Sequence, residues 1–128
     1  MPWTSGAADP VPPEFARDFQ VSTIYLPIPD DFLEEAVAVS LKVPARVWKE
    51  IVAGMMATDP VADLEQHRIP TLILWGDRDG GFPRSEQESL VAAIPGAVLK
   101  VYPETGHALH WERPDEFVRD LEAFLARS

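Results

Sequence analysis

Cysteine is absent from this chain of 128 residues, which excludes disulfides, thiolate nucleophiles and thiolate metal sites. That absence fits a cytoplasmic protein while remaining compatible with export. Basic residues are scarce: Lys and Arg number 11 against 21 Asp and Glu, for a net charge of -10 spread over both halves. The phosphate-seeking electrostatics of nucleic-acid binders is therefore missing, and nucleic acid and anionic membrane surfaces are poor partners. No apolar run approaches the ~20 residues that cross a bilayer. The opening Met1-Pro2-Trp3-Thr4-Ser5-Gly6 lacks the basic and apolar regions of an export signal, so a soluble cytoplasmic protein is the expectation. Internal repeats, low-complexity tracts and glycine-rich linkers are also missing.

What is present reads as ordinary globular protein, with 46% hydrophobic and 25% charged residues. The length suits one domain with a real core. Two sections differ in pattern. The first twelve residues, with prolines at 2, 10 and 12, lack periodicity and should form an irregular arm. A short helix follows from about Pro13 to Phe19, with Phe15 and Phe19 at i,i+4. Leu26-Pro27-Ile28-Pro29 must be extended, because a residue before proline is pushed out of the helical region. Asp30 and Asp31 are expected to cap a second helix whose Phe32, Leu33, Ala36, Val37 and Leu41 share one side. Pro44 opens a third, in which Val47, Trp48, Ile51, Val52, Met55 and Met56 form an apolar stripe.

From Ile69 the pattern becomes strand, helix, strand, helix. Thr71 to Trp75 is a short continuous apolar run between Pro70 and Gly76, as in a strand buried on both faces of a parallel sheet. Ser85-Glu86-Gln87-Glu88 has the spacing of a capping box for a helix that Pro95-Gly96 stops. Val98 to Tyr102 is the second strand. Pro114, followed by Asp115 and Glu116, opens a last helix bearing Phe117, Val118, Leu121, Phe124 and Leu125. Two parallel strands leave at least one row of backbone donors and acceptors without a ladder partner. The N-terminal section, a second copy of the chain in a homo-oligomer, or further strands could cover that edge.

Four stretches carry a family resemblance: Ile69-Pro70-Thr71-Leu72-Ile73-Leu74-Trp75-Gly76-Asp77-Arg78-Asp79, Ile94-Pro95-Gly96-Ala97, Thr105-Gly106-His107 and Glu112-Arg113-Pro114. Together they resemble the C-terminal third of an α/β-hydrolase, closely over roughly residues 68 to 127. The resemblance implies an α/β fold in which residues 1–67 are a helical cap-like segment and residues 68–128 are a βαβα unit from the C-terminal end of the parallel sheet. It implies that Asp79 is the acid of a catalytic triad and His107 the base. The reaction it implies is nucleophile-assisted hydrolysis of a small apolar ester or related substrate, with esterase, epoxide hydrolase, dehalogenase and C–C bond hydrolase chemistry all open. No cofactor and no metal are implied.

The third triad member has no recognisable place. Gly-x-Ser-x-Gly, Gly-x-Asp-x-Gly and a His-Gly oxyanion loop are missing, and Ser5, Ser22, Ser40, Ser85, Ser89 and Ser128 all lie outside a strand-turn-helix elbow. The chain alone is therefore expected to be close to inactive. A non-catalytic interaction protein that pairs through its exposed sheet edge is the alternative.

Each candidate has a plainer explanation beside the chemical one. Asp79 before Gly80-Gly81 is also ordinary turn chemistry, and His107 is also a loop residue after glycine. Asp77 is a competing acid whose simpler role is to accept loop amides. His107 and His110 lack the third ligand of a zinc site, His67 lies in a polar stretch, and Glu112 suits a structural hydrogen bond. Trp48, Met55 and Met56 are the substrate-binding candidates, since substrate pockets are mostly apolar. Equally, they are core residues at helical spacing, and Trp3, Phe15, Phe19, Tyr25 and Phe32 share that ambiguity.

Overall fold

The computed structural model describes residues 9–127. The expectations placed on Trp3, Ser5, Ser128 and the first part of the proline-rich arm fall outside them. Among the described residues the elements are α1 (Pro13–Ser22), α2 (Asp30–Ser40), α3 (Ala45–Ala57), a 3-10 turn (Leu64–Gln66), β1 (Leu72–Gly76), α4 (Arg84–Ala93), β2 (Val98–Tyr102), α5 (Leu109–Glu112) and α6 (Pro114–Leu125). Helices precede a βαβα unit with a parallel sheet, so the architecture is α/β. The contacts divide the described chain into two units, residues 9–22 with Ile28–Asp59 and Thr23–Pro27 with residues 60–127.

In the helical unit, α1 runs past Phe19 to Ser22, whose hydroxyl donates to the Phe19 carbonyl at 2.6 Å. Phe15 and Phe19, one turn apart, meet Trp48 edge-on at ring separations of 5.7 and 5.0 Å. This geometry sets the positive edge of one ring against the negative face of another. The Ser40 hydroxyl donates to the Ala36 carbonyl and accepts from Gln20 Nε2, both at 2.8 Å, which lets a polar side chain lie buried beside Val37. Arg17 and Glu34 pair between α1 and α2.

Two expectations for these helices need correction. Asp30 and Asp31 lie inside the first turn of α2 and do not cap it; Pro29 holds the cap position and its carbonyl accepts the Leu33 amide at 3.1 Å. Their carboxylates still favour the positive end of the helix. The α3 stripe is divided: Trp48 is taken up by the aromatic cluster, while Ile51, Met55 and Met56 are 56%, 56% and 84% exposed.

In the second unit, β1 and β2 pair in parallel, from Leu72 opposite Val98 to Gly76 opposite Tyr102. The expectation of a strand buried on both faces holds only at the carboxyl end of β1. Trp75 and Gly76 are buried, Leu72 to Leu74 are half-buried, and Val98 is exposed. The cause is the two-stranded sheet: each strand has an outer edge without a ladder partner among the described residues, and few elements lie on its faces. The apolar side of α6 is open for the same reason, with Val118, Leu121 and Leu125 exposed. The Ser85–Glu88 capping box does not form. Pro83 is extended and α4 starts at Arg84, so Ser85 is already the second helical residue, and Glu88 pairs instead with Arg84 at 2.9 Å.

A carboxylate fastens α6 to β2. Asp120 accepts from Lys100 Nζ at 2.6 Å and from the Tyr102 hydroxyl. The Lys100 bond, then the Tyr102 bond, hold the Asp120 pKa below the usual carboxylate value. Burial, then the Asp120 contact, push that of Tyr102 up.

Both shifts have a sign. A depressed Asp120 pKa contributes stability that is present above its unfolded value of about 3.9 and is lost as pH falls through the folded value. A raised Tyr102 pKa contributes stability that is present below about 10 and is lost as pH rises towards the folded value. Asp120→Asn should therefore cost about 2 kcal/mol at neutral pH and flatten the acid limb of stability, as read from urea midpoints at a series of pH values. An acid limb unchanged from the parent protein would rule this out.

Candidate active site

The parallel register sets the carboxyl ends of β1 and β2 side by side, so the loops that leave them run in contact. Asp77 N–H donates to the Tyr102 carbonyl at 3.1 Å and Arg78 N–H to the Thr105 carbonyl at 2.9 Å. Asp77 Oδ1 accepts the Glu104 amide at 2.7 Å, where the chain turns through a left-handed φ of 49°. Asp77 thus has the bonding of a loop clamp. The approach is close enough that a Cβ on Gly76 would stand 2.3 Å from the carbonyl oxygens of both Thr105 and Gly106. Only glycine fits there.

This contact brings Asp79 and His107 together. Asp79 Oδ2 lies 2.7 Å from His107 Nδ1. Its other oxygen accepts the amides of Gly81 at 2.9 Å and Phe82 at 3.1 Å. One carboxylate therefore does both of the jobs that the sequence offered as alternatives, closing the turn with Oδ1 and holding the imidazole with Oδ2. The Asp79 side chain is 4% exposed and that of His107 51%. A buried anion facing Nδ1 selects the tautomer with the proton on Nδ1, which leaves Nε2 with a free lone pair.

The other side of the His107 loop is held by Glu112. Its Oε1 accepts the amides of Tyr25 at 2.9 Å, Leu26 at 2.6 Å and Gly106 at 3.0 Å. The Thr23 carbonyl adds a bond from the Ala108 amide at 3.1 Å. Gly106 is enclosed: a Cβ would meet Tyr25 N at 2.7 Å and Glu112 Oε2 at 2.8 Å. The Arg113 guanidinium binds the Thr105 hydroxyl at 2.8 Å and the Pro103 carbonyl at 3.1 Å. His107 is consequently carried on a loop braced from both ends.

The remaining candidates lie elsewhere. The His110 ring packs near Trp111 and Phe117 at 5.3 and 5.9 Å. Desolvation there, then the charge of His107, lower its pKa. His67 is half-buried after the 3-10 turn. No group of three His, Cys, Asp or Glu side chains suited to a metal ion occurs among the described residues. Trp48 sits in its aromatic cluster, and Met55 and Met56 lie on the exposed part of α3. Tyr25 is exposed beneath the Arg78 guanidinium, 5.4 Å from its ring centre. The Ser22, Ser40 and Ser89 hydroxyls each donate to a carbonyl in the preceding turn of their own helix.

Sequence reasoning missed Phe82 and Trp75. The Phe82 ring stacks on the His107 imidazole at 5.2 Å and 26°, and Trp75 Nε1 donates to the Phe82 carbonyl at 2.8 Å. The available signal was an aromatic residue between Gly81 and Pro83, three places after the acid.

A sequence model described as "Alpha/beta hydrolase family" matches residues 1–120. The chain is 32% identical over 96 residues to a 2-hydroxy-6-oxo-6-phenylhexa-2,4-dienoate hydrolase of Burkholderia cepacia, a match covering 75% of the chain and 30% of that protein. It is 36% identical over 72 residues to a pimeloyl-[acyl-carrier protein] methyl ester esterase of Serratia marcescens, covering 56% of the chain and 28% of the relative. The chain thus spans less than a third of either relative. Among solved structures, an esterase from Exiguobacterium antarcticum superposes with a TM-score of 0.82 at 19% identity, over 89% of the chain and 42% of the esterase. No helix among the described residues is long and apolar enough to cross a membrane.

The Glu112 bonds predict a measurable loss. Glu112→Ala should destabilise the chain by about 2 kcal/mol or more, because it strips a charged acceptor from several loop amides. Hydrogen exchange at Tyr25, Leu26 and Gly106 should accelerate together while that of β1 and β2 changes only with global stability. Unchanged exchange at the three sites would show that the carboxylate does not hold the loop.

Proposed function

Because the chain belongs to the alpha/beta hydrolase family, we propose that Asp79 and His107 are the acid and base of a hydrolytic site for small apolar esters or related substrates. The observation that carries this reading is the 2.7 Å contact between Asp79 Oδ2 and His107 Nδ1. In the reaction, His107 Nε2 takes the proton of an attacking hydroxyl and returns it to the leaving group. Asp79 keeps the imidazole in the required tautomer and balances the charge of the imidazolium. The nucleophile and oxyanion donors come from sequence other than the residues described, so these residues alone are inactive. Trp48, Met55 and Met56 on α3 are the side chains assigned to the apolar part of the substrate, Met55 and Met56 being exposed. The B. cepacia hydrolase and the S. marcescens methyl ester esterase support hydrolysis as the reaction class.

One observation favours a second reading, a protein that pairs through its sheet. The outer edge of β1 has no ladder partner among the described residues, and Ile69 before β1 and Val98 at the start of β2 are 66% and 53% exposed. An edge of that kind accepts a strand from another chain or from a second copy of this one.

Two measurements separate these readings. Long-range nitrogen–proton NMR of the chain near pH 9 should give a protonated Nδ1 and an unprotonated Nε2 at His107, and Asp79→Asn should abolish that pattern by offering an amide donor where the acceptor was. Turnover of p-nitrophenyl butyrate by the chain should match that of its His107→Ala variant. Co-expressed with the nucleophile-bearing N-terminal part of a related esterase, it should show turnover that drops about ten-thousand-fold on Asp79→Asn. Turnover in the complemented enzyme that survives His107→Ala would overturn the assignment and favour the pairing protein.

A further inference from the structure

Phe82 touches the acid, the sheet and the base at once, and the three contacts use different parts of the residue. Its amide donates to Asp79 Oδ1 at 3.1 Å. Its carbonyl accepts from Trp75 Nε1 at 2.8 Å, which ties the turn to the last buried residues of β1. Its ring lies against the His107 imidazole, 5.2 Å between centres and within 26° of parallel. Everything Phe82 contributes to these hydrogen bonds is main chain. The side chain is free for another task.

His107 needs such a partner. Its side chain is 51% exposed, and rotation about the bond to an imidazole ring has broad, nearly two-fold minima. A half-turn exchanges the sides of the ring and carries Nδ1 away from Asp79. A single hydrogen bond at 2.7 Å opposes that rotation but does not set the ring plane. A flat ring stacked on the imidazole face does, because the rotating edge must sweep through it.

We propose that Phe82 is a positioning residue for the acid–base pair: its ring fixes the plane of the His107 imidazole, so that Nδ1 stays on Asp79 and Nε2 keeps one direction for proton transfer. The proposal rests on the reading of Asp79 and His107 as that pair, and it assigns Phe82 no contact with substrate.

The test uses the chain itself. Phe82→Leu keeps an apolar side chain and both main-chain bonds while removing the flat face, and Phe82→Tyr restores the face. Near pH 9 the parent protein should show two well-separated imidazole nitrogen shifts and a slowly exchanging Nδ1 proton. In Phe82→Leu the population with Nδ1 off Asp79 should rise roughly two- to tenfold, the range expected for one aromatic contact. The two nitrogen shifts should move together, and the Nδ1 proton should exchange faster by a similar factor. Phe82→Tyr should recover the parent pattern. The Gly81 amide, bonded to the same Asp79 oxygen, reports on the turn and should keep its protection in both variants.

A parent-like imidazole in Phe82→Leu overturns the proposal, and so does a Tyr variant as averaged as the Leu variant. Loss of Gly81 protection together with the imidazole change also overturns it, since the ring would then be holding the turn and not the histidine. Asp79→Asn separates this failure from that of the underlying reading. If Asp79→Asn disturbs the tautomer and Phe82→Leu does not, only the role of Phe82 falls; if Asp79→Asn leaves it unchanged, the acid–base pair falls as well.

Discussion

The contact between Gly76 and the carbonyl oxygens of Thr105 and Gly106 is the constraint from which the candidate site follows. Parallel pairing puts the carboxyl ends of β1 and β2 next to each other, with Gly76 opposite Tyr102. That register alone would leave two loops free to diverge. The absence of a side chain at residue 76 lets them close instead, since a Cβ there would lie 2.3 Å from two carbonyl oxygens. Closure then permits the Arg78 amide to reach Thr105 and the Asp77 carboxylate to reach Glu104. It also places Asp79 and His107, 28 residues apart in the chain, within hydrogen-bond distance.

An acidic composition acquires a purpose in this setting. Asp77, Asp79, Glu112 and Asp120 all spend oxygens on groups from distant parts of the second unit: Asp77 and Glu112 on loop amides, Asp79 on His107 and Asp120 on Lys100 and Tyr102. Irregular backbone carries amides that no helix or ladder satisfies, and a carboxylate can accept several of them. The same chemistry separates their roles. Asp77 and Glu112 bind backbone amides, Asp120 joins α6 to β2, and of the four only Asp79 has an oxygen directed at an imidazole. Net charge says little about the separate acids, whereas hydrogen bonding explains what each of them does.

Much of the fold was legible in the residues. Prolines marked helix starts because they fix φ and lack a donor, as at Pro13, Pro44 and Pro114. Pro95 and Gly96 ended α4, with Gly96 at a φ of 75°. The failures share a cause. Asp30, Asp31 and Ser85 were expected to be caps, yet each lies inside its helix because a preceding proline, already extended, takes the cap position. Burial was overestimated in α3 and β1, since an apolar pattern states which face seeks cover and not whether cover is present. The short helix α5 escaped notice because a single turn has no periodicity to detect.

The site divides in the same way. The sequence by itself determined the identity of Asp79 and His107 as candidates, through Gly-Asp-Arg-Asp after one apolar run and Thr-Gly-His after the next. Local composition also determined that turns would occur at those places, because glycine and aspartate stabilise them without help from afar. Only the tertiary structure decided that Asp77 would clamp a loop and Asp79 would hold the imidazole. Two residues apart in one turn, they point in different directions that no local rule distinguishes. It alone set the Phe82 ring on His107 and gathered Tyr25, Leu26 and Gly106 on the carboxylate of Glu112. The reason is physical: turns and helices depend on neighbours along the chain, whereas a working pair depends on distances between side chains that only packing of the whole unit can set.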